Sequence, residues 1–441
     1  MKNAIWIVVA FSMMFVASAS ATIINIPGDY PRIQEGIDAS ADGDTVLVQP
    51  GTYVENINFN GHNIVLGSLS LITREDSYVP LTIIDGDSLD TVIKLWSGEN
   101  NTAAIVGFTI RNGYGWYGGG ISCRHSDPLI ANNIIIQNSS DWAGGGIFCW
   151  SGSNPAILNN TISNNFAPEG GGLLTCWSHP TIIKNVIVNN AATQGAGIAI
   201  LFCDRYQPLA ISKNIIARNE AAFGGGIYSR YSTFSMANNT ITENLTNHFG
   251  TGLYLEGVSN STILNTIFWG NSPSEIYVGE WSDPVITYCD IQDTVWVGEG
   301  NISADPIFCY PDTLNYYLRN DSPCVGAGQD GTNIGALDVG CYHTEMHELD
   351  ELLPVSFVTL QAFPNPFNSS TIIEYTLPKS SNLTIIVYDV LGQQVDVLSE
   401  QFQLPGKYQH TWKAKDFSSG VYFVLLKTPD YSEIISVTLL K

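Results

Sequence analysis

Basic side chains are scarce in this sequence: 18 Lys and Arg stand against 41 Asp and Glu, a formal net charge of −23. No basic stripe exists to displace counterions from a phosphate backbone, which argues against nucleic acid as a partner. Charge of either sign is thin, at 13% of residues, while hydrophobic residues make up 44%, too many for a disordered chain. No long apolar run follows residue 16, so no transmembrane helix is expected beyond the N-terminus. The 8 cysteines form no C-x-x-C pair and no cysteine–histidine cluster, which removes the usual signs of zinc. Helix-forming runs are missing from the centre, where apolar residues come as triplets broken by Gly and Asn. Leucine-rich and helical repeats are thereby excluded.

What the sequence has instead is glycine, 41 residues of it, and asparagine in a fixed rhythm. Between residues 101 and 271 one phrase is written six times, clearest at Asn159-Asn160-Thr161-Ile162-Ser163-Asn164-Asn165 followed by Gly170-Gly171-Gly172-Leu173. One Asn recurs at Asn133, Asn160, Asn185, Asn214, Asn239 and Asn265, a period of 25 to 29 residues, and a second at Asn138, Asn165, Asn190, Asn219, Asn244 and Asn271. That period with short β-type triplets predicts a parallel β-helix, each repeat one rung of three strands stacked at about 4.8 Å. Stacked Asn side chains can relay hydrogen bonds from rung to rung, since each amide carries both donor and acceptor. The Gly runs turn the chain into a strand where Ile121, Ile147, Leu173, Ile198, Ile227 and Leu253 face inward. Alternation then sends Ser122, Phe148, Leu174, Ala199, Tyr228 and Tyr254 to solvent.

At the start, Lys2, an apolar run over residues 4–16 and the small-residue stretch Ala17-Ser18-Ala19-Ser20-Ala21 read as a secretory signal peptide spanning 1–21. The mature chain then carries 17 basic and 41 acidic residues, or −24. The acid lies at the ends of the repeat region and in the following linker; residues 101–271 hold 7 basic and 7 acidic residues. A neutral middle suits a neutral or weakly charged ligand.

Before the repeats, Ile23-Ile24-Asn25-Ile26 and Thr45-Val46-Leu47-Val48 read as strands. Between them, residues 31–38 read as a short helix capping the open end of the solenoid. The run Tyr30-Pro-Arg-Ile-Gln-Glu-Gly-Ile-Asp38, Asp42-Gly-Asp-Thr-Val-Leu-Val48 and Pro50-Gly-Thr-Tyr-Val-Glu55 resembles the opening of pectate-lyase-like right-handed β-helix proteins. The stretches around 303–308, 316–318, 322–324 and 333–336 resemble their closing segment. The resemblance covers 22–343 and implies a right-handed parallel β-helix; it leaves activity open, because such folds carry lyases, hydrolases, esterases and adhesins alike. Cys289, Cys309, Cys324 and Cys341 fall in the closing segment, where an exported chain can oxidise them in three pairings. Cys324 with Cys341 is the pairing favoured, as a clasp on the last turn.

Residues 344–358 form an acidic linker without repeats. From 359 to 441, regular alternation in segments such as Thr371-Ile-Ile-Glu-Tyr-Thr-Leu377 and Val421-Tyr-Phe-Val-Leu-Leu426 predicts a small immunoglobulin-like β-sandwich. The motifs Phe363-Pro-Asn-Pro-Phe-Asn368, Tyr388-Asp-Val-Leu-Gly392 and Ser419-Gly-Val-Tyr422 resemble the C-terminal sorting domain of type IX secretion substrates. That resemblance implies recognition by the secretion machinery and a secreted or outer-surface location in a Gram-negative bacterium. An ordinary immunoglobulin-like module is the alternative.

The face of the strand after the Gly turn is where enzymes of the resembled fold work. Here it offers Trp142, Phe148, Trp150, Trp177, Tyr228 and Tyr254 for stacking on the apolar faces of sugars. The nearby charged groups with catalytic potential are Arg124, Asp127, Asp204 and Arg230, but they come as isolated pairs, not as a calcium-binding or two-carboxylate cluster. The plainer reading, aromatics capping loops and charges solvating turns, stands beside it. No cofactor is expected. Asp42-Gly-Asp44 and Asp85-Gly-Asp87 could take calcium, though a turn is the simpler assignment. The sequence therefore points to an extracellular polysaccharide-binding or adhesive module, with a polysaccharide lyase or glycoside hydrolase as the alternative and a purely structural surface protein as a third.

Overall fold

The computed structural model describes residues 21–203, 209–248, 250–292, 296–342, 359–377, 381–389, 393–403, 406–415, 417–429 and 432–440. They form two compact units dividing between His343 and Thr344. All but the last residue of the signal peptide, and the acidic linker, lie outside the described residues.

The first unit is a parallel β-solenoid of four sheets. Sheet 1 stacks 11 strands from Ile23–Ile26 to Val285–Thr287, and sheet 2 stacks 10 from Gly51–Val54 to Asp290–Ile291. Sheet 3 has 6, from Tyr114–Tyr117 to Leu245–Thr246, and sheet 4 has 9, from Ile57–Asn58 to Ile276–Val278. A central rung thus has four strands, as in Leu129–Ala131, Ile134–Ile136, Ser139–Ala143 and Ile147–Trp150. In-register pairing stacks Ile130, Ile157, Ile182 and Ile211 inside sheet 1 and Ile135, Ile162, Ile187 and Ile216 inside sheet 2, all fully buried.

The corners of each rung are built by asparagine. Asn160 donates its backbone N–H and one Nδ2–H to Asn185 Oδ1 at 2.9 and 3.0 Å, and its second Nδ2–H to the Ile130 carbonyl at 2.9 Å. Its own Oδ1 receives Asn133 in the same way at 3.0 and 3.1 Å. Donors and acceptor are all used, so an otherwise costly buried amide is satisfied. The second ladder runs Asn138–Asn165–Asn190–Asn219–Asn244–Asn271 by the same pattern. The first ends one residue away from expectation. Asn265 stands at φ 47°, the left-handed corner position held in other rungs by Asn159 and Asn238, and Thr266 Oγ1 takes the bond from the Asn239 N–H at 3.4 Å. Asn265 instead holds the closing segment through Gln329 N–H and Thr332.

The first end is covered. Helix Ile33–Ala39 buries Ile33 and Ile37 over the first rung, and the two Glu55 carboxylate oxygens accept the Ile33 and Gln34 N–H groups at 3.0 and 3.1 Å. Beyond the last rung the chain turns back along the flank, where Phe308–Tyr310, Asn315–Arg319 and Val339–Cys341 make a small sheet whose Tyr316 packs on Val188, Ile215 and Ala217, on the outside of sheet 2. The disulfide joins Cys309 to Cys341, with Cα atoms 5.9 Å apart, which corrects the expected Cys324–Cys341 pair. Those two cysteines sit on strands flanking Asn315–Arg319, whereas Cys324 is buried with Ile267, Leu318 and Ile334, its Sγ 3.1 Å from Asp290.

The second unit is a sandwich of two antiparallel sheets. Thr359–Phe363, Ser370–Leu377 and Gly406–Lys413 form one; Gln394–Gln403, Ser381–Tyr388, Gly420–Lys427 and Ser432–Leu439 form the other. Trp412 is fully buried between them, 5.4 Å from Phe367 and 5.2 Å from Tyr422, ring to ring. The Pro-Asn-Pro motif places Asn365 to bond the Ser436 carbonyl and the Thr438 N–H, both at 2.9 Å, tying the first turn to the last strand.

Three predictions follow from this packing. Asn190→Ala removes the acceptor for two Asn165 donors inside a dry corner. The expected loss is about 3 kcal/mol or more, at roughly 1–3 kcal/mol per buried group left unpaired, read by urea unfolding followed by circular dichroism. Non-reducing peptide mapping is expected to recover a Cys309–Cys341 linked pair with Cys324 as a free thiol; a Cys324 disulfide would overturn the closing geometry. Burial raises the Asp290 carboxyl from 3.8 to about 6. The folded state therefore holds a proton that the unfolded chain releases, and stability falls as pH rises from about 4 through about 6. The cost above that window is about 3 kcal/mol, at 1.36 kcal/mol per pH unit. Asp290→Asn is expected to flatten that part of the stability–pH curve.

Candidate functional site

The residue that opens each Gly turn decides the shape of the outer face of sheet 4. Gly144, Gly170, Gly195 and Gly224 have φ between 60° and 69°, and a Cβ on them would lie 2.6–2.8 Å from the Cβ of Phe148, Leu174, Ala199 and Tyr228. Each glycine therefore folds the preceding sheet 3 strand directly onto the outward row of sheet 4. That row was expected in solvent; instead Phe148, Leu174, Ala199 and Tyr228 are buried at 5% exposure or less, in a second apolar layer that also takes in Ala143 and Leu201. The side chains left at the surface form two rows, one on the sheet 3 strands and one at the turns that leave sheet 4, and the strip between them is the candidate groove.

On the sheet 3 border, Trp116 and Trp142 occupy neighbouring rungs and are 60% and 54% exposed. Opposite them Trp177, Phe202 and Tyr231 stack in one column with ring centroids 5.4 and 5.8 Å apart; Trp177 and Tyr231 are 54% and 55% exposed. All three stand at φ 47–54°, one position past the end of their strand. The residue after each belongs to a third ladder of small polar side chains. In it Ser126, Ser153 and Cys203 donate their N–H groups to Ser153, Ser178 and Ser232 Oγ at 3.2, 3.1 and 3.1 Å.

At the start of the groove, Tyr117 stacks on Phe148 and Trp150, and the Arg124 guanidinium lies 4.7 Å above the Trp150 ring. Asp127 does not join Arg124; it accepts the Asn154 N–H of the next rung at 2.6 Å. Further along, Arg230 leans back one rung to lie 5.4 Å over Phe202. Tyr228 donates to Glu256, and burial together with that carboxylate pushes its phenol well above the usual range, so it stays a donor. Tyr254 is sandwiched between Tyr228 at 5.5 Å and Tyr277 at 4.5 Å. Asp204 lies outside the described residues.

The structure thus separates the expected site residues. Trp142 and Trp177 line the groove, Trp150 and Tyr254 are half-buried in its floor, and Phe148 and Tyr228 support it from below. Arg124 and Arg230 lie in one column of sheet 4, four rungs apart. Two further residues reach the groove from sheet 3, Glu169 and Gln194, paired in register. Burial raises the Glu169 carboxyl, with Arg230 pulling it back. Their signal was positional: each directly precedes the first glycine of its turn, as do Tyr117 and Ala143.

Glu169 and Glu256 belong to rungs three apart, roughly 14 Å of backbone at about 4.8 Å per strand. Among the described residues no three His, Cys, Asp or Glu side chains converge to hold a metal ion. Asp85 is taken up by Arg111 and Asn112, and Asp42 by Asn63. No helix among them is long and apolar enough to cross a membrane.

Residues 95–229 and 211–301 match the right handed beta helix region family, and residues 361–437 match the secretion system C-terminal sorting domain. No curated protein matches the chain. The sorting domain directs export by type IX secretion to the cell surface or extracellular space and implies contact with that machinery. With asparagine ladders running through one unit and the sorting sandwich forming the other, the chain is a right-handed parallel β-helix protein carrying a type IX secretion C-terminal sorting domain.

Proposed function

We propose that the exported β-helix is a non-catalytic glycan-binding or adhesive module that holds polysaccharide along the groove between sheets 3 and 4. The supporting observation is the pair of aromatic borders, Trp116 with Trp142 and Trp177 with Tyr231, all more than half exposed on a rigid face. Large exposed rings are costly in water unless they serve a contact, and an indole face fits the C–H face of a pyranose. Among the described residues, Glu169 and Glu256 do not assemble as a hydrolytic pair needs. Hydrolysis takes two carboxyls roughly 5–9.5 Å apart, whereas the rungs of Glu169 and Glu256 are spaced well beyond that.

The test is affinity electrophoresis of the full chain through a panel of polysaccharides, with parallel assay for reducing and unsaturated ends, with and without calcium. Retardation without new ends is expected. Trp142→Ala and Trp177→Ala are each expected to weaken retention about fivefold, the worth of an aromatic contact of roughly 1 kcal/mol. New chain ends would replace this reading with a lyase or hydrolase, and silence in both assays would leave a structural surface protein.

A further inference from the structure

We propose that Arg230, Gln194 and Glu169 form a specificity subsite in this groove that takes a neutral pyranose with adjacent hydroxyls and turns away uronic acids. The inference rests on the glycan-binding reading above.

Register brings the three together. Glu169 and Gln194 are paired neighbours on sheet 3, one residue before the glycines that fold this sheet over sheet 4. Arg230 starts on sheet 4 one rung beyond Gln194's, but its guanidinium leans back over Phe202, which belongs to the rung of Gln194. There its charge reaches Glu169 on sheet 3 and Cys176 in its own sheet 4 column. The outward row beneath carries no aromatic ring at this point, where Leu174 and Ala199 stand between Phe148 on one side and Tyr228 on the other.

The polar atoms here are underused. Arg230 Nε and Gln194 Oε1 are buried and make no hydrogen bond among the described residues, in a chain whose ladder amides use every donor and acceptor. A buried polar atom without a partner is costly, and that cost is recovered if a ligand supplies the partner. Both residues are only half-buried and end in long stems, so rotation about the last torsions brings either group to the groove. A guanidinium donor beside an amide oxygen and a carboxylate matches two neighbouring sugar hydroxyls, which donate and accept at once. Trp177 and Tyr231 stand alongside to meet the ring.

Charge sets the class of sugar. Among the described residues the cation here is Arg230, which faces Glu169 on one side and Glu256 on the next rung, where Arg230↔Glu256 are in register. A ligand carboxylate entering here meets more negative than positive charge, while a neutral sugar meets no penalty.

Isothermal titration of the full chain with neutral β-glucan and mannan hexasaccharides and with a galacturonate hexasaccharide tests this directly. Binding of a neutral hexasaccharide over the uronate is expected. Gln194→Met and Arg230→Met are each expected to weaken it about tenfold, the loss of a hydrogen bond to a charged or buried group. The unfolding midpoint is expected to hold or rise, because each change removes an unpartnered buried atom. Glu169→Gln is expected to shift the neutral-to-uronate preference about tenfold toward the uronate, and it keeps the test decisive if a methionine variant fails to fold. Preference for the uronate, or wild-type affinity in both methionine variants, would overturn the subsite while leaving the glycan-binding reading in place. Absence of binding to every sugar would overturn both.

Discussion

The interaction on which the solenoid depends is the double acceptance by one asparagine oxygen. In the central rungs Oδ1 takes a backbone N–H and a side-chain N–H from the rung before, while its own amide reaches a carbonyl further back. A corner has no strand partner for these backbone groups, and water cannot reach them. Without the amide, every turn would bury unpaired donors. The arrangement also fixes rung spacing. The residue before each ladder Asn takes a left-handed conformation, even at Lys184, Lys213, Arg218 and Glu243, side chains for which that conformation is unfavourable. The ladder hydrogen bonds and the buried isoleucine columns offset that cost together.

A second constraint acts on the outside. The first glycine of each turn is needed for its positive φ, but equally because the sheet 4 side chain lies where its Cβ would be. This close approach brings sheet 3 against the outward row of sheet 4, which buries that row and leaves exposed rings on either side of it. The same glycines that close the backbone therefore help to shape a surface where aromatic and charged side chains meet. Fold and candidate site are consequences of one sequence feature.

That common origin explains how much could be read in advance. The period of the asparagines gave the parallel solenoid, and alternation in the tail gave five of the seven sandwich strands. The strands at Thr359–Phe363 and Gln394–Gln403 carry weaker alternation and became visible only in pairing. Asn265 matches the ladder in residue type and not in corner position; the chain puts Thr266 there, since a hydroxyl also accepts. The burial of Phe148 and Tyr228 was not legible, because period-two alternation tells which side of its own sheet a residue takes and nothing about a neighbouring strand folded over it. Cysteine pairing is equally non-local: Cys309 and Cys341 meet through the strand between them. Glu169 and Gln194 were overlooked because a residue before a glycine run reads as part of a turn.

The proposed binding function draws on rigidity as much as on composition. Trp177 and Tyr231 are not on mobile loops; each is held at the end of a strand by a left-handed corner and by the small-residue ladder that begins at the next residue. Ring-on-ring packing with Phe202 removes further freedom. A ligand that meets such a border orders few side chains on binding, so more of the contact energy is retained as affinity. The same stacking has a price in area, since rings packed face to face offer mainly their edges and the end face of the column. Trp142, on the sheet 3 strands, offers the broad face that column lacks, which is why the proposed glycan-binding function calls on both borders and not on one.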